Sequence, residues 1–176
     1  VGANALQSNN SGEGNTGVGA RVLKSSSTGD FNTVAGYWAL TANVSGSYNV
    51  GLGSKSMSSN SSGNYNVAMG NMSLAANSSG SDFVAIGDSA MANQNGGIGR
   101  NTAVGAKALK MNVSGNNNTA VVYKSLAAST GNANAAFGSG TMTTNTTGYD
   151  NTALGTDALP SNTTGSINTA VGKGAM

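Results

Sequence analysis

Asn101-Thr102-Ala103-Val104-Gly105-Ala106-Lys107-Ala108-Leu109 decides the fold, because near-copies of it recur along the whole chain. The repeats start at Asn15, Asn32, Asn49, Asn66, Phe83, Asn101, Asn118, Asn134, Asn151 and Asn168, and a partial one precedes Asn15. Their spacing is 17 residues, with one step of 18 into Asn101 and one of 16 into Asn134. Aligned, they read N-T-A-V-G-x-x-A-L-x-x-N-x-(S/T)-G-x-x, which defines columns 1 to 17.

Each column carries a physical requirement. The fourth is large and apolar, as at Val18, Leu52, Met69, Ile86, Val104 and Leu154, apart from Ala35; the ninth holds only Leu or Met. These two columns are the expected core. The third is Ala or Gly except at Val34, as where backbones or facing chains approach closely. The fifth is Gly except at Val122, as at a bend needing positive φ or room for neighbouring backbone. A further glycine column closes pieces such as Asn145-Thr146-Thr147-Gly148, which is turn chemistry ending on a left-handed residue. Each repeat therefore reads as one coil of two short strands joined by two turns.

A lone coil cannot bury its Leu and Val. Stacked coils bury them and let each backbone amide pair with the coils on either side, at about 4.8 Å spacing. Helical repeats run longer, to about 33 residues or more, and a glycine in a helix interior costs roughly 1 kcal/mol. The sequence thus predicts an all-β fold, a parallel β-solenoid or β-roll of about ten 17-residue coils, with residues 1–176 as a single array. The extra residue near Gly96-Gly97-Ile98-Gly99-Arg100 and the missing one near Ser129 are expected to fall in turns.

Composition narrows the function. Only 8% of residues are charged, against roughly 25% in an ordinary domain. Yet 38% are apolar and the net charge is +2, which argues against a disordered linker. The 8 basic and 6 acidic residues are scattered along the sequence with no basic run, so no nucleic-acid partner is expected. No apolar stretch reaches the roughly 18 residues that span a bilayer, so no membrane insertion of this segment is expected either. The pattern is already running at Val1 and still running at Met176; the segment is read as part of a longer fibrous protein whose export signal and anchor lie elsewhere. With no His and no Cys, the commonest general base, the Ser/His/Asp triad, thiolate ligands and disulfides are all removed. Only Glu13 and Asp30 share a column in adjacent repeats, so no carboxylate pair spans a cleft. Phosphate-cradle and calcium-roll motifs are missing too. An enzyme, a metal and a cofactor are all unexpected.

The apolar complement of one coil is thin, so association is expected. Adjacent strand positions face opposite sides. Columns 3 and 4 therefore cannot share an interior: one fills the roll and the other faces partner chains around a common axis. A heterologous contact closing on three chains is the favoured assembly. The segments Asn101 to Leu109 and Asn168 to Ala175 resemble the head repeats of trimeric autotransporter adhesins. They are closer still to the N-T-A-V-G-x-x-A-L-x-x-N-T-T-G arrays of tail-fibre-like surface proteins from bacteria, phages and large viruses. The resemblance spans all ten repeats. It implies a left-handed roll, a homotrimer, and an extracellular shaft or head segment on a cell or virion surface that mediates display and attachment, with end-to-end joining into filaments left open. The chain departs from the adhesin family in its 17-residue period and its regular Asn-x-Ser/Thr-Gly turn.

Three polar or aromatic patterns are candidate sites. Asn-x-Ser/Thr at Asn9, Asn43, Asn60, Asn77, Asn112, Asn145 and Asn162 fits N-glycosylation acceptors on a surface turn, with Asn71 and Asn117 outside that column. The preferred reading is that these side chains cap turns and form ladders between coils. Phe31, Tyr48 and Tyr65 close three successive repeats and are expected to stack, with Tyr37 and Trp38 on a nearby bend. Such a ladder mainly stabilises a sheet, yet exposed rings can also hold sugars, so these five residues are the candidate contact with a host-surface glycan or receptor. A threonine column, Thr16, Thr33, Thr102, Thr119, Thr152 and Thr169, suggests ice binding but is interrupted by Val50, Val67, Val84 and Ala135.

Overall fold

The structure, a computed structural model, describes residues 1–97 and 99–176. Each repeat contributes one three-residue strand: β1 (Thr16–Val18), β2 (Thr33–Ala35), β3 (Val50–Leu52), β4 (Val67–Met69), β5 (Val84–Ile86), β6 (Thr102–Val104), β7 (Thr119–Val121), β8 (Ala135–Phe137), β9 (Thr152–Leu154) and β10 (Thr169–Val171). They form one parallel ten-stranded sheet in strict sequence order, so the fold is the expected all-β parallel β-solenoid. Like columns pair with like, as Ala68 with Ala85 and Met69 with Ile86.

The two irregular steps leave this register intact. Val84 still pairs with Thr102 across the longer repeat, and Thr119 with Ala135 across the shorter one. A one-residue slip in a strand would exchange inward and outward side chains, so turns absorb the difference. Gly96 and Gly97 take φ of 79° and 84° in the longer turn; Ile98 of that loop lies outside the described residues.

The second strand expected in each coil does not form. Column 7 and column 9 residues are left-handed, as Lys107 at φ 62° and Leu109 at φ 49° show, and this curls the return path into turns. The coil-to-coil ladder continues there nonetheless: Leu109 N–H donates to the Ser125 carbonyl at 3.0 Å and Met111 N–H to that of Ala127 at 2.9 Å. Non-glycine residues in this region cost roughly 1–2 kcal/mol each. They persist where stacked neighbours over-determine them.

The closing glycine column also differs from expectation. Gly46 and its equivalents, apart from Gly97 in the longer repeat, are not left-handed; a Cβ on Gly46 would stand 2.5 Å from the Gly63 carbonyl oxygen of the next coil. Close approach, not φ, demands glycine there.

The core differs from expectation as well. Column 9 is buried as expected, at Leu23, Leu40, Met57 and Leu74, but its partner on the opposite wall is column 3, at Ala68, Ala85, Ala103 and Ala120. The large fourth column lies outside: Val18 is 52% and Leu154 51% exposed. The tube is too narrow for two large columns. A Cβ built on Gly51 already comes within 3.2 Å of Met57 Cε and Ser56 Oγ. Side-chain size, usually a guide to burial, here selects the outside.

Candidate interaction surfaces

Beside the apolar core, the coil interior holds two rows of amides. In column 1, Asn49 Nδ2 donates to Asn32 Oδ1 at 3.1 Å and to the Gly63 carbonyl at 2.8 Å, while Asn49 Oδ1 accepts the Asn66 N–H at 3.0 Å. In column 12, Asn60 Nδ2 donates to Asn43 Oδ1 at 3.1 Å and to the same Gly63 carbonyl at 3.0 Å. Two asparagine ladders thus converge on the carbonyls of the closing glycines. A buried polar group is tolerable only when it is paired, and repetition pairs nearly all of these.

Asn43, Asn60, Asn77, Asn112 and Asn145 are therefore fully buried, and Asn9 and Asn162 are partly buried nearer the ends. A glycan on any of the five would have to pull an amide out of the interior ladder, which makes them structural residues of the folded rod. Asn71 and Asn117 are exposed, with Asn71 Nδ2 donating to Asp88 Oδ1 at 3.0 Å.

One ladder gap has a measurable consequence. Ser26 stands in column 12 where Asn is usual, and its short hydroxyl leaves both Ser26 Oγ and Asn9 Oδ1 buried without partners. Ser26→Asn is expected to stabilise the protein by about 1–2 kcal/mol by joining Asn9 to Asn43, read from the midpoint of chemical denaturation.

The longer repeat replaces both ladders at once. Phe83 takes column 1 and Gln94 column 12, and both are buried. Phe83 keeps its N–H donation to Asn66 Oδ1, at 3.1 Å, and its carbonyl accepts the Val67 N–H at 2.8 Å, but the side-chain links are lost. Gln94 reaches further than Asn, so its Oε1 accepts from both Asn101 Nδ2 at 3.1 Å and Asn112 Nδ2 at 2.8 Å. One glutamine restarts two ladders. The odd first residue of this repeat is legible in the sequence, but nothing there signals that Gln94 compensates for it.

On the outside, columns 2 and 4 make the outward face of the sheet. Threonines pair in register there as Thr16 with Thr33, Thr102 with Thr119 and Thr152 with Thr169, so the threonine column is three separate pairs. Column 4 beside it is an apolar stripe running the length of the rod, with Leu52 36% and Val171 67% exposed.

Phe31, Tyr48 and Tyr65 stack as expected, with ring centroids 5.3 Å and 5.1 Å apart and planes within 20° and 6°. All three are exposed. Stacking uses their faces on one another, and Phe31 also lies against Gly14. The ladder consequently offers solvent mainly ring edges and two phenol hydroxyls, with Tyr65 at its end the one ring stacked on a single side, a poor platform for a sugar ring, which packs on a face. Tyr37 and Trp38 lie elsewhere on the rod, with centroids 5.7 Å apart, and the Arg21 guanidinium sits 5.1 Å over the Trp38 ring. Trp38 Nε1 is buried without a partner. Sequence order groups these five aromatics; the structure divides them between opposite flanks of the strands.

Among the described residues no cavity opens, no group of three or more metal-ligating side chains gathers, and no helix is long and apolar enough to cross a membrane. No family model, curated protein or solved structure matches the chain. Function is therefore to be read from the surfaces of the rod.

Proposed function

We propose that this chain is a non-catalytic shaft or head segment of an extracellular fibre or adhesin, displayed on a cell or virion surface, in which left-handed rolls associate as a homotrimer. The uninterrupted order of ten strands in one register supports a part that works by length and stiffness. Its interior is filled by the apolar core and the asparagine ladders, with no cavity among the described residues.

The observation that carries the self-association is the fourth column. A line of Val, Leu, Met, Ile and Phe, broken by Ala35, on the outward face of a sheet is surface that a soluble monomer rarely leaves uncovered. Three copies with these faces turned to a common axis would cover it by one heterologous contact repeated around a ring.

Sedimentation of the parent protein is expected to give the mass of three chains, and imaging of single rods a mass per unit length three times that of one solenoid. Leu52→Lys combined with Val104→Lys is expected to weaken association by at least about 100-fold, since each change forfeits roughly 1.5–3 kcal/mol of apolar burial. Both side chains point outward, so the circular dichroism of the single chain should be unchanged. A parent that sediments as one chain at micromolar concentration removes the trimer. Immunolabelling that finds the parent protein inside cells removes the surface fibre.

A further inference from the structure

The charges, scattered in the sequence, are sorted in space. Because the coil repeats every 17 residues, residues far apart fall on the same line, and seven of the eight basic side chains lie in columns 6, 7 and 10: Arg21, Lys24, Lys55, Lys107, Lys110, Lys124 and Lys173. Those columns follow the strands, beyond the column 5 bend. Four of the six acids, Glu13, Asp30, Asp82 and Asp150, lie in columns 16 and 17, on the flank that precedes the strands. A chain of net charge +2 thus presents one flank that is decidedly basic.

Within that flank one constellation occurs twice. Around β1 and β2 it is Arg21 in column 7, Lys24 in column 10, and Tyr37 and Trp38 in columns 6 and 7 of the following coil. Around β6 and β7, five coils along, the same columns hold Lys107, Lys110, Tyr123 and Lys124. In each a cation is seated on an aromatic face: Arg21 over Trp38 at 5.1 Å, and Lys124 over Tyr123 at 5.1 Å. Arg21, Tyr37, Tyr123 and Lys124 are exposed. A guanidinium seated over an indole, as Arg21 is at 5.1 Å from the ring centre, keeps N–H groups free for an outside partner. It can thereby grip a carboxylate or sulfate through two bonds. Tyr37 is exposed outside any closed stack like the Phe31 ladder, so its ring can pack against a sugar, as can the face of Tyr123 turned away from Lys124.

We infer that the flank following the strands binds a linear acidic polysaccharide at two equivalent subsites, Arg21-Lys24-Tyr37-Trp38 and Lys107-Lys110-Tyr123-Lys124, roughly 24 Å apart at about 4.8 Å per coil. Ser54, Asn71 and Asp88 occupy column 6 between the two. That interval suits a flexible polymer with spaced anionic groups and sugar rings. It does not suit duplex nucleic acid, a stiff rod carrying a charge about every 1.7 Å, which would be pressed against Asp88. This inference stands independently of the fibre reading, since it needs the flank and not the apolar stripe.

The test is binding of the full chain to heparin fragments of graded length, with duplex DNA as the competing polyanion. Fragments long enough to reach both subsites are expected to bind at least about 100-fold more tightly than shorter ones. Arg21→Gln with Lys24→Gln, or separately Lys107→Gln with Lys124→Gln, is expected to abolish that length advantage, whereas Lys173→Gln is expected to change affinity less than about threefold by removing one outlying charge. Unchanged circular dichroism shows that the variants fold. No binding of heparin, binding without length dependence, equal binding by both double variants and the parent, or tighter binding of DNA would each overturn the inference. So would double variants that change the number of chains per particle, because the basic flank would then be meeting the acidic flank of a second copy.

Discussion

Replacing Asn49 by Leu is expected to destabilise the protein by about 3 kcal/mol, and replacing it by Asp by more. Leu removes the donations to Asn32 Oδ1 and the Gly63 carbonyl, and the acceptor for the Asn66 N–H. Gly63 keeps the donation from Asn60, and Asn32 Oδ1 keeps the Asn49 N–H, but Asn66 N–H loses its partner. An orphaned buried donor costs roughly 1–3 kcal/mol and each lost bond about 1 kcal/mol, partly offset by the apolar side chain. Asp preserves shape and the acceptor for Asn66, yet points a carboxylate at two other acceptors at a fully buried position, and an unpaired buried charge is worse than a missing bond. The order Asp below Leu below parent in denaturant midpoint is the signature of a ladder. If Leu at Asn49 were neutral, column 1 would be ordinary packing and not a hydrogen-bonded ladder.

The second large effect is expected at the bend. Gly53 has φ 129°, outside what L residues adopt readily, and a Cβ there would stand 2.6 Å from the Gly70 carbonyl oxygen and 2.7 Å from its carbon. The obstacle is the backbone of the next coil, which cannot rotate away as a side chain would. Gly53→Ala is therefore expected to cost about 3 kcal/mol or more, from strained φ together with a displaced rung. In an array whose coils touch only their neighbours, such a lesion should also split unfolding into two steps, one on either side of the damaged coil. Val122, the one departure from glycine in this column, takes φ 90° and lies in the single repeat that is one residue short. The bend accepts a side chain where the chain path beyond it has been altered.

The solenoid was legible because every column votes ten times. A period of 17 with Leu or Met always in one place and Gly in two others leaves few alternatives, and the odd steps of 18 and 16 fell in turns as the register demands. What each column does was harder to read. Large apolar residues were assigned to the core, but the tube is so narrow that Ala103 faces inward while Val104 faces out. Nothing in Leu109 or Lys107 announces a left-handed backbone. Only the stacked coils impose it, and it replaces the expected second strand.

The candidate sites fared unevenly for similar reasons. Asn-x-Ser/Thr reads as a surface turn, yet in a coil this small the turn residue points inward and becomes the wall of the next turn. Phe31, Tyr48 and Tyr65 were placed in a stack by their common column, and the spacing of one coil per ring made that legible. The basic flank was hidden because Lys24 and Lys110 are far apart in the sequence, and only the coil count puts them on one line.

Because the chain has no cysteine, pairs of introduced cysteines can carry spin labels cleanly. With one label at Arg21 and the other at Lys107, Lys124 or Asp157, all in column 7, the distance should grow linearly with the number of coils between them, roughly 24, 29 and 38 Å at about 4.8 Å per coil. Linear growth at that rise is what stacked, registered coils require. Distances that stop increasing, or that grow at a rise well away from about 4.8 Å per coil, would contradict the fold and every surface derived from it.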